Sequence, residues 1–451
     1  MIHPERIQTL APAPVRRSGR YVLYWMQASQ RAEGNAALEY AARRSDEIKL
    51  PVVACFALTD AYPDANQRHY AFMLDGLVDT AETLRRRGIR FVLRRGDPPD
   101  MAAELARDAA LVVCDAGYLR HQRRWRRRLA RAARWRVEQV EANVVVPVAV
   151  VSDKREYAAR TLRPRHRRHW DRFLAPTAQQ GPRRDSTGMH INGLPADEPD
   201  ALLGELDIDR SVRRTERFRG GTRRARGLLG AFIRDKLARY ADAQSDPSLG
   251  IASGMSPYLH FGQISPVEVA CAVRDADAPE AAKDAYLEQL LVRRELAFNF
   301  VHHTPGYDRW AALPGWARAT LEAHRSDPRG AVYTFAQLEA GRTHDTYWNA
   351  AMREMTVTGA MHNTMRMYWG KKIIEWTRSP RTAFRWMRTL NNRYFLDGRD
   401  PASYANVAWC FGLHDRPWAE RDVLGTVRYM SAGGLERKYD IDAYVRRCEA
   451  L

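Results

Sequence analysis

The stretch Met361–Trp376 reads MHNTMRMYWGKKIIEW. Imidazole, guanidinium, ammonium and indole groups fall within a few helical turns of one another. Seven residues span nearly two turns, so Trp369 and Trp376 share a face, with His362, Arg366 and Lys372 on or beside it. Indoles stacked at this spacing serve either as core packing or, when close together, as a path for single electrons. A guanidinium on a face rich in Met and Trp needs a carboxylate if it is buried. Asp397, in RYFLDGRDPASYANVAW (393–409), is the candidate partner, although the same Asp-Gly-Arg-Asp-Pro run also suits a surface turn. Lys372 is expected at the edge of the face, with its ammonium reaching solvent.

A second segment, SGMSPYLHFGQISP (253–266), offers small side chains at Ser253, Gly254 and Ser256 just before a helical stretch opened by Pro257. Free backbone N–H groups there would suit a phosphate; a Ser-Pro cap after a Gly turn explains the same residues structurally. GxSxG, HEXXH and paired Cys/His motifs are absent. The histidines lack metal-ligand spacing, so no metal site is expected. The missing hydrolytic apparatus points to a bound cofactor as the source of reactivity.

The elements that would position these groups divide the chain unequally. Residues 18–150 alternate apolar β-runs, RYVLYWM (20–26), VVACFAL (52–58), IRFVLRRG (89–96) and ALVVCDA (110–116), with helical stretches; a further run surrounds VEANVVVPVAVV (140–151). Near-continuous apolar strands with helical crossovers predict an α/β domain with a doubly wound parallel sheet. No GxGxxG or Walker loop accompanies it. In RHYAFMLDGLVDTAETLRRRG, Phe72, Leu74, Leu77, Val78 and Leu84 share a side and Gly88 closes the helix. The first seventeen residues read as a disordered lead-in. Residues 119–136, LRHQRRWRRRLARAARWR, predict a surface helix with a solvated Arg face. Periodicity dissolves over 151–225, a long interdomain linker. Residues 226–451 predict an all-helical domain, with one strand-like run at TVRYMSA near the end.

Across 451 residues, 72 Lys and Arg outnumber 54 Asp and Glu, a formal charge of +18. A positive excess of this size favours a polyanionic partner, most often nucleic acid. Eight of the 12 tryptophans lie beyond residue 300, so the aromatic chemistry belongs to the helical domain. Five scattered cysteines without CxxC spacing fit a reducing cytoplasm. No apolar run is long enough for a membrane span. The expectation is a cytoplasmic monomer, nucleoid-associated when bound to DNA.

At these residues the chain resembles the DNA photolyase/cryptochrome family, and within it the class II cyclobutane pyrimidine dimer photolyases. YWMQASQRAEGNAAL, ARTLRP, SPYLHFGQIS, EAGRTHDTYWNAAM, TGAMHN, RMYWGKKIIEW and LDGRDP follow the class II order over about residues 20–445. The resemblance implies an antenna-type α/β domain and a helical domain holding FAD in a U shape. Tyr240 and Ala252, Ser253, Gly254, Met255 and Ser256 would cradle its phosphates. Trp348, Asn349, His362, Arg366 and Asp397 would line the flavin site, with Asn391 facing flavin N5. Trp369, Trp348 and Trp376 would relay electrons. Trp409 would stack on the lesion, and Arg416 and Arg428 would hold the backbone of UV-damaged DNA, double- or single-stranded. An antenna chromophore, folate or deazaflavin, is left open.

One position departs from the family pattern. Gln289, in YLEQLLVRREL, stands where members commonly carry a Glu that contacts the dimer. Gln donates a hydrogen bond but supplies no proton, so repair at reduced yield is expected. Glu288 is predicted to lie on another helix face and not to substitute. Two alternatives remain: a blue-light photoreceptor on the same scaffold, and a basic helical nucleic-acid-binding protein without cofactor.

Overall fold

A computed structural model describes residues 2–451. Its sheet has the order β1-β6-β5-β2-β3-β4, formed by β1 (Ile7–Ala11), β2 (Tyr21–Met26), β3 (Val52–Leu58), β4 (Arg90–Arg95), β5 (Ala109–Asp115) and β6 (Arg136–Val140). All neighbours are parallel except β1, which runs antiparallel to β6. The apolar runs read from the sequence are β2, β3, β4 and β5. β2, β3 and β5 are buried at every residue, as a sheet covered on both faces requires. Helices Ala36–Glu47 and Gln67–Arg86 are two of the crossovers. Asn35 caps the first by accepting from Ala37 N and Leu38 N. Gly88, at φ +71°, follows the end of the second.

Four readings of the sequence need correction. The lead-in contains β1, and it is ordered because Arg6 is buried and donates to the carbonyls of Glu141, Val144 and Val145. The sixth strand lies upstream of the predicted run, at Arg136–Val140; its apolar continuation packs as loop and a short helix, Val148–Val151. The basic helix, Arg120–Ala132, has a solvated Arg face, but Arg126 is buried and pairs with Asp115. Residues 426–431 form no strand.

The linker of residues 151–225 is largely built into the fold. It contains helices Ala159–Arg167, Trp170–Phe173 and Pro199–Glu205. It also lies along the outer edge of the sheet, where Ser186 Oγ accepts from Arg90 N at 2.7 Å and Leu194 bridges Leu93. Covering an edge strand in this way needs extended chain rather than periodic chain, which is why no period was visible.

The remaining residues are helical. Asp345 caps Thr346–Thr358 by accepting from Trp348 N, and Gly359 ends that helix at φ +74°. A Cβ on Gly359 would come within 3.0 Å of Leu396 Cγ, so both the turn and the packing demand glycine. His362 then caps Asn363–Glu375. The two domains are fastened together near this point. Asn66 Nδ2 donates to Arg393 O at 2.7 Å, Arg68 Nη1 donates to Tyr394 O at 2.9 Å, and His69 Nε2 lies 3.0 Å from Phe395 O. The start of the helix Gln67–Arg86 is therefore fixed against the residues just before Asp397.

Candidate cofactor cleft and its mouth

A deep cleft runs through the helical domain, in two joined parts of about 530 and 870 Å³. Tyr240, Ala252, Ser253, Met255, Ser256, His362, Arg366 and Asp397 line both parts. Gly254 lines the larger one, at φ +72°. Arg366 Nη2 donates to Asp397 Oδ1 at 2.8 Å and Nη1 to Oδ2 at 3.3 Å. Ser256 Oγ also donates to Asp397. Burial pushes the Asp397 carboxyl up, but the Arg366 charge and these hydrogen bonds outweigh it and hold the group below its usual range. The Arg366 guanidinium lies 3.7 Å from the Phe395 ring centroid. Its Nε is covered by protein and has no hydrogen-bond partner. Among the described residues no backbone carbonyl accepts from the N–H groups of Ala252, Ser253 or Gly254. Burial lowers the His362 imidazole to about 4, so it is neutral at pH 7.

The indoles lie behind this wall. Trp369 is 1% exposed, with its ring 6.3 Å from Phe395, a cleft residue. Trp348 donates from Nε1 to the Trp369 carbonyl at 3.0 Å. The Trp348 and Trp376 rings are 5.6 Å apart, edge to face. Outward from Trp376 come Tyr333, at 5.4 Å, and the exposed His344, at 5.3 Å. A series of aromatic residues thus leads from the cleft wall toward the surface, with Trp369 and Trp348 joined through the Trp369 carbonyl. Lys372 departs from expectation: it is buried, paired with Glu375 at 2.8 Å, and packed over Tyr368, Trp376 and Tyr429.

Three residues expected around the cofactor lie elsewhere. Asn349 is turned away from the cleft. Its side chain accepts from Thr343 N and Oγ1 and donates to Thr343 O, closing the loop before the helix. Trp348 is fully buried among the indoles and does not reach the cleft. Asn391 sits behind Arg366, its Oδ1 3.5 Å from Nη2, with its amide donated to Asn392 and Ser403.

The mouth of the cleft has a different chemistry. Gln289, Trp409 and Arg428 line it, together with Gln244 and Arg293, which the sequence reading missed. Arg293 stands 5.5 Å over the Trp409 ring. Gln289 lies on a π-helical turn, Glu288–Arg293, and donates to Gln244 Oε1 at 3.4 Å. Glu288 is engaged by Arg163 at 2.8 Å and cannot take the place of residue 289. Arg416 lies outside the mouth, exposed, with its guanidinium and that of Arg428 over the Trp418 ring at 5.6 and 5.1 Å. No sequence signal marks the π-turn; the doubled basic residues of LLVRREL were the available hint to Arg293.

A second, small cavity of about 70 Å³ lies between the domains, beyond the carboxyl ends of β2, β3 and β5. This is where the strand order reverses, a common ligand position in open α/β sheets. Arg399, at φ +66°, is buried beside it with Nη1 unpartnered.

A parallel α/β domain clamped to a helical domain with an Arg–Asp cleft and an indole chain defines a narrow structural class. The DNA photolyase family model matches residues 22–183. Along its length the chain is 46% identical, over 100% of this chain and 99% of the relative, to the deoxyribodipyrimidine photo-lyase of Methanothermobacter thermautotrophicus. The fold superposes on a bacterial class III photolyase from Agrobacterium tumefaciens with a TM-score of 0.73 at 20% identity, covering 95% and 86% of the two chains. It also matches an archaeal photolyase from Sulfolobus tokodaii, solved with two FAD molecules, at a TM-score of 0.68 and 15% identity, covering 94% and 89%. The chain belongs to the photolyase/cryptochrome family. Among the described residues no helix is long and apolar enough to cross a membrane.

Proposed function

We propose that this protein is a class II photolyase that repairs cyclobutane pyrimidine dimers in UV-damaged DNA with light, using FAD held in the cleft. The observation that carries the reading is the Arg366–Asp397 pair. It is a largely buried ion pair lining a cavity of cofactor size and backed by a series of indoles. When bound and reduced, FAD supplies on excitation the electron that opens the cyclobutane ring and to which the electron is restored.

The residues provide binding and direction. The free N–H groups of Ala252 to Gly254 suit phosphate oxygens. Asp397 fixes Arg366, whose guanidinium would set a positive charge beside the flavin ring. Asn391 acts through Arg366 and so serves to position it. Trp376, Trp348 and Trp369 would pass an electron inward: the Trp376 and Trp348 rings lie 5.6 Å apart, Trp348 Nε1 donates to the Trp369 carbonyl, and the Trp369 ring abuts Phe395 of the wall. At the mouth, Trp409 offers a stacking face to an extruded base, and Arg428 a phosphate contact. Gln289 and Gln244 present neutral amide donors to pyrimidine carbonyls. The small interdomain cavity is the candidate antenna site; at about 70 Å³ it must open to admit a folate or deazaflavin.

The decisive experiment illuminates reduced, purified protein with an oligonucleotide carrying a thymine dimer. Loss of the dimer under blue light and not in darkness supports repair. An unchanged dimer with flavin bound favours the photoreceptor alternative. Colourless protein unable to take up FAD favours the cofactor-free binding protein.

A further inference from the structure

The segment joining the domains carries charge that neither the cleft nor the core uses. In helix Ala159–Arg167, Ala159, Leu162 and His166 are buried, and His166 Nε2 lies 2.6 Å from Glu295 Oε2. Arg160, Arg163 and Arg167 follow at helical spacing on an adjoining face. Arg163 makes a two-pronged contact with Glu288, at 2.9 and 2.8 Å, and Glu288 immediately precedes Gln289 at the cleft mouth. Just upstream, the Tyr157 hydroxyl donates to Asp415 O at 2.7 Å, and the Tyr157 carbonyl lies 2.7 Å from His414 Nδ1. His414 also lines the mouth. The segment is therefore fastened to the rim of the cleft at two separate points.

The groups left over are basic. Lys154, Arg160 and Arg167 are exposed. Arg163 and Arg165 pair with Glu288 and Glu156, whereas none of those three has a carboxylate partner among the described residues. Arg167 lies over the Trp170 ring at 5.4 Å. Asp153 and Asp171 are the exposed acids of this stretch and offset part of the charge. Tyr157, 49% exposed, is an aromatic ring left open to solvent beside the mouth. Seven residues of helix separate Arg160 from Arg167 by about 10 Å, the rise of roughly three nucleotides along one strand.

We propose that this segment forms a second wall of the DNA-binding surface. Lys154, Arg160 and Arg167 take phosphates of the duplex flanking the lesion, and Tyr157 packs on the nucleotide at the rim. Arg163 holds the wall in place through Glu288. The proposal rests on the DNA-repair reading and extends it to residues outside the helical domain.

The test is a salt titration of binding to a duplex carrying one thymine dimer, with the full-length, flavin-loaded protein. Lys154→Gln/Arg160→Gln/Arg167→Gln should weaken binding about tenfold near 0.1 M salt and flatten the log–log salt dependence by about 2 to 3, at roughly 0.9 for each phosphate no longer neutralised. Flavin content and melting temperature should stay at wild-type values. Arg131→Gln, on the basic helix of the α/β domain, should leave the slope unchanged. A triple variant with the wild-type slope, or an equal effect from Arg131→Gln, overturns the second wall. Wild-type protein that shows no preference for the dimer-containing duplex overturns the repair reading beneath it.

Discussion

The two domains each contain a buried Arg–Asp pair, and the pairs are used differently. In the α/β domain, Asp115 meets Arg126, and its Oδ2 accepts from Gln27 N, Ala28 N and Ser29 N at 2.9, 2.7 and 2.7 Å. Arg126 Nε donates to the Asp115 carbonyl at 2.6 Å. The acceptors of Asp115 are taken up in fixing the loop after β2, so the pair is closed and structural. In the helical domain, Asp397 meets Arg366 beside a large cleft, and Arg366 Nε has no partner. Residue type alone does not separate a structural pair from a binding site. The distinction lies in what borders the pair: a packed loop around Asp115, a large cleft beside Asp397.

Breaking each pair should expose this difference. Asp115→Asn removes the charge from a fully enclosed pair and should cost about 3–5 kcal/mol. Thermal unfolding should fall steeply, and flavin loss should follow only from unfolding. Asp397→Asn should lower the melting temperature less, because its side chain retains some exposure (16%). Next in size, Trp369→Phe should abolish light-driven flavin reduction while FAD stays bound, as followed by the flavin absorption under illumination; unchanged photoreduction would return these indoles to core packing.

A smaller effect comes from pH. Burial lowers His362, His302 and His414 to about 4 and His121 to about 3. Each is neutral in the fold but binds a proton in the unfolded chain near 6.5. Their contribution to stability is complete above 6.5 and is lost progressively as the pH falls toward 4. Melting temperatures should hold from pH 8 to 7 and decline between 6.5 and 4. Replacing His362 by Gln should make that decline shallower. The smallest effect is expected at the mouth, where Gln289→Glu should raise repair yield about twofold, because a protonated carboxyl can share its proton with the lesion and an amide cannot. An unchanged yield would show that residue 289 does not touch the reacting lesion.

How much of this was legible depended on what each residue does with its polar groups. The buried strands were readable because sheets covered on both faces demand unbroken apolar runs, as in VVACFAL. β1 was not, because its anchor is a buried Arg6 whose partners are carbonyls far along the chain. The Arg366–Asp397 pairing followed from the cost of an unpaired charge among aromatics. The site of Asn349 did not, because its amide serves a local loop through Thr343, a choice that motif position cannot show. Gln289 could be named, but not its presentation, because a π-turn shifts the helical period without altering the residue pattern. The linker was read as spacer because edge-covering chain has no period, although its contacts bind both domains.

The account turns on the claim that the open Arg366–Asp397 pair holds FAD. The most direct measurement is the flavin stoichiometry of folded, purified wild-type protein and Asp397→Asn, each incubated with FAD and freed of excess. Wild type should retain close to one FAD per chain, and Asp397→Asn should lose most of it while its helical content is preserved. Equal, full retention by the folded variant would contradict the claim.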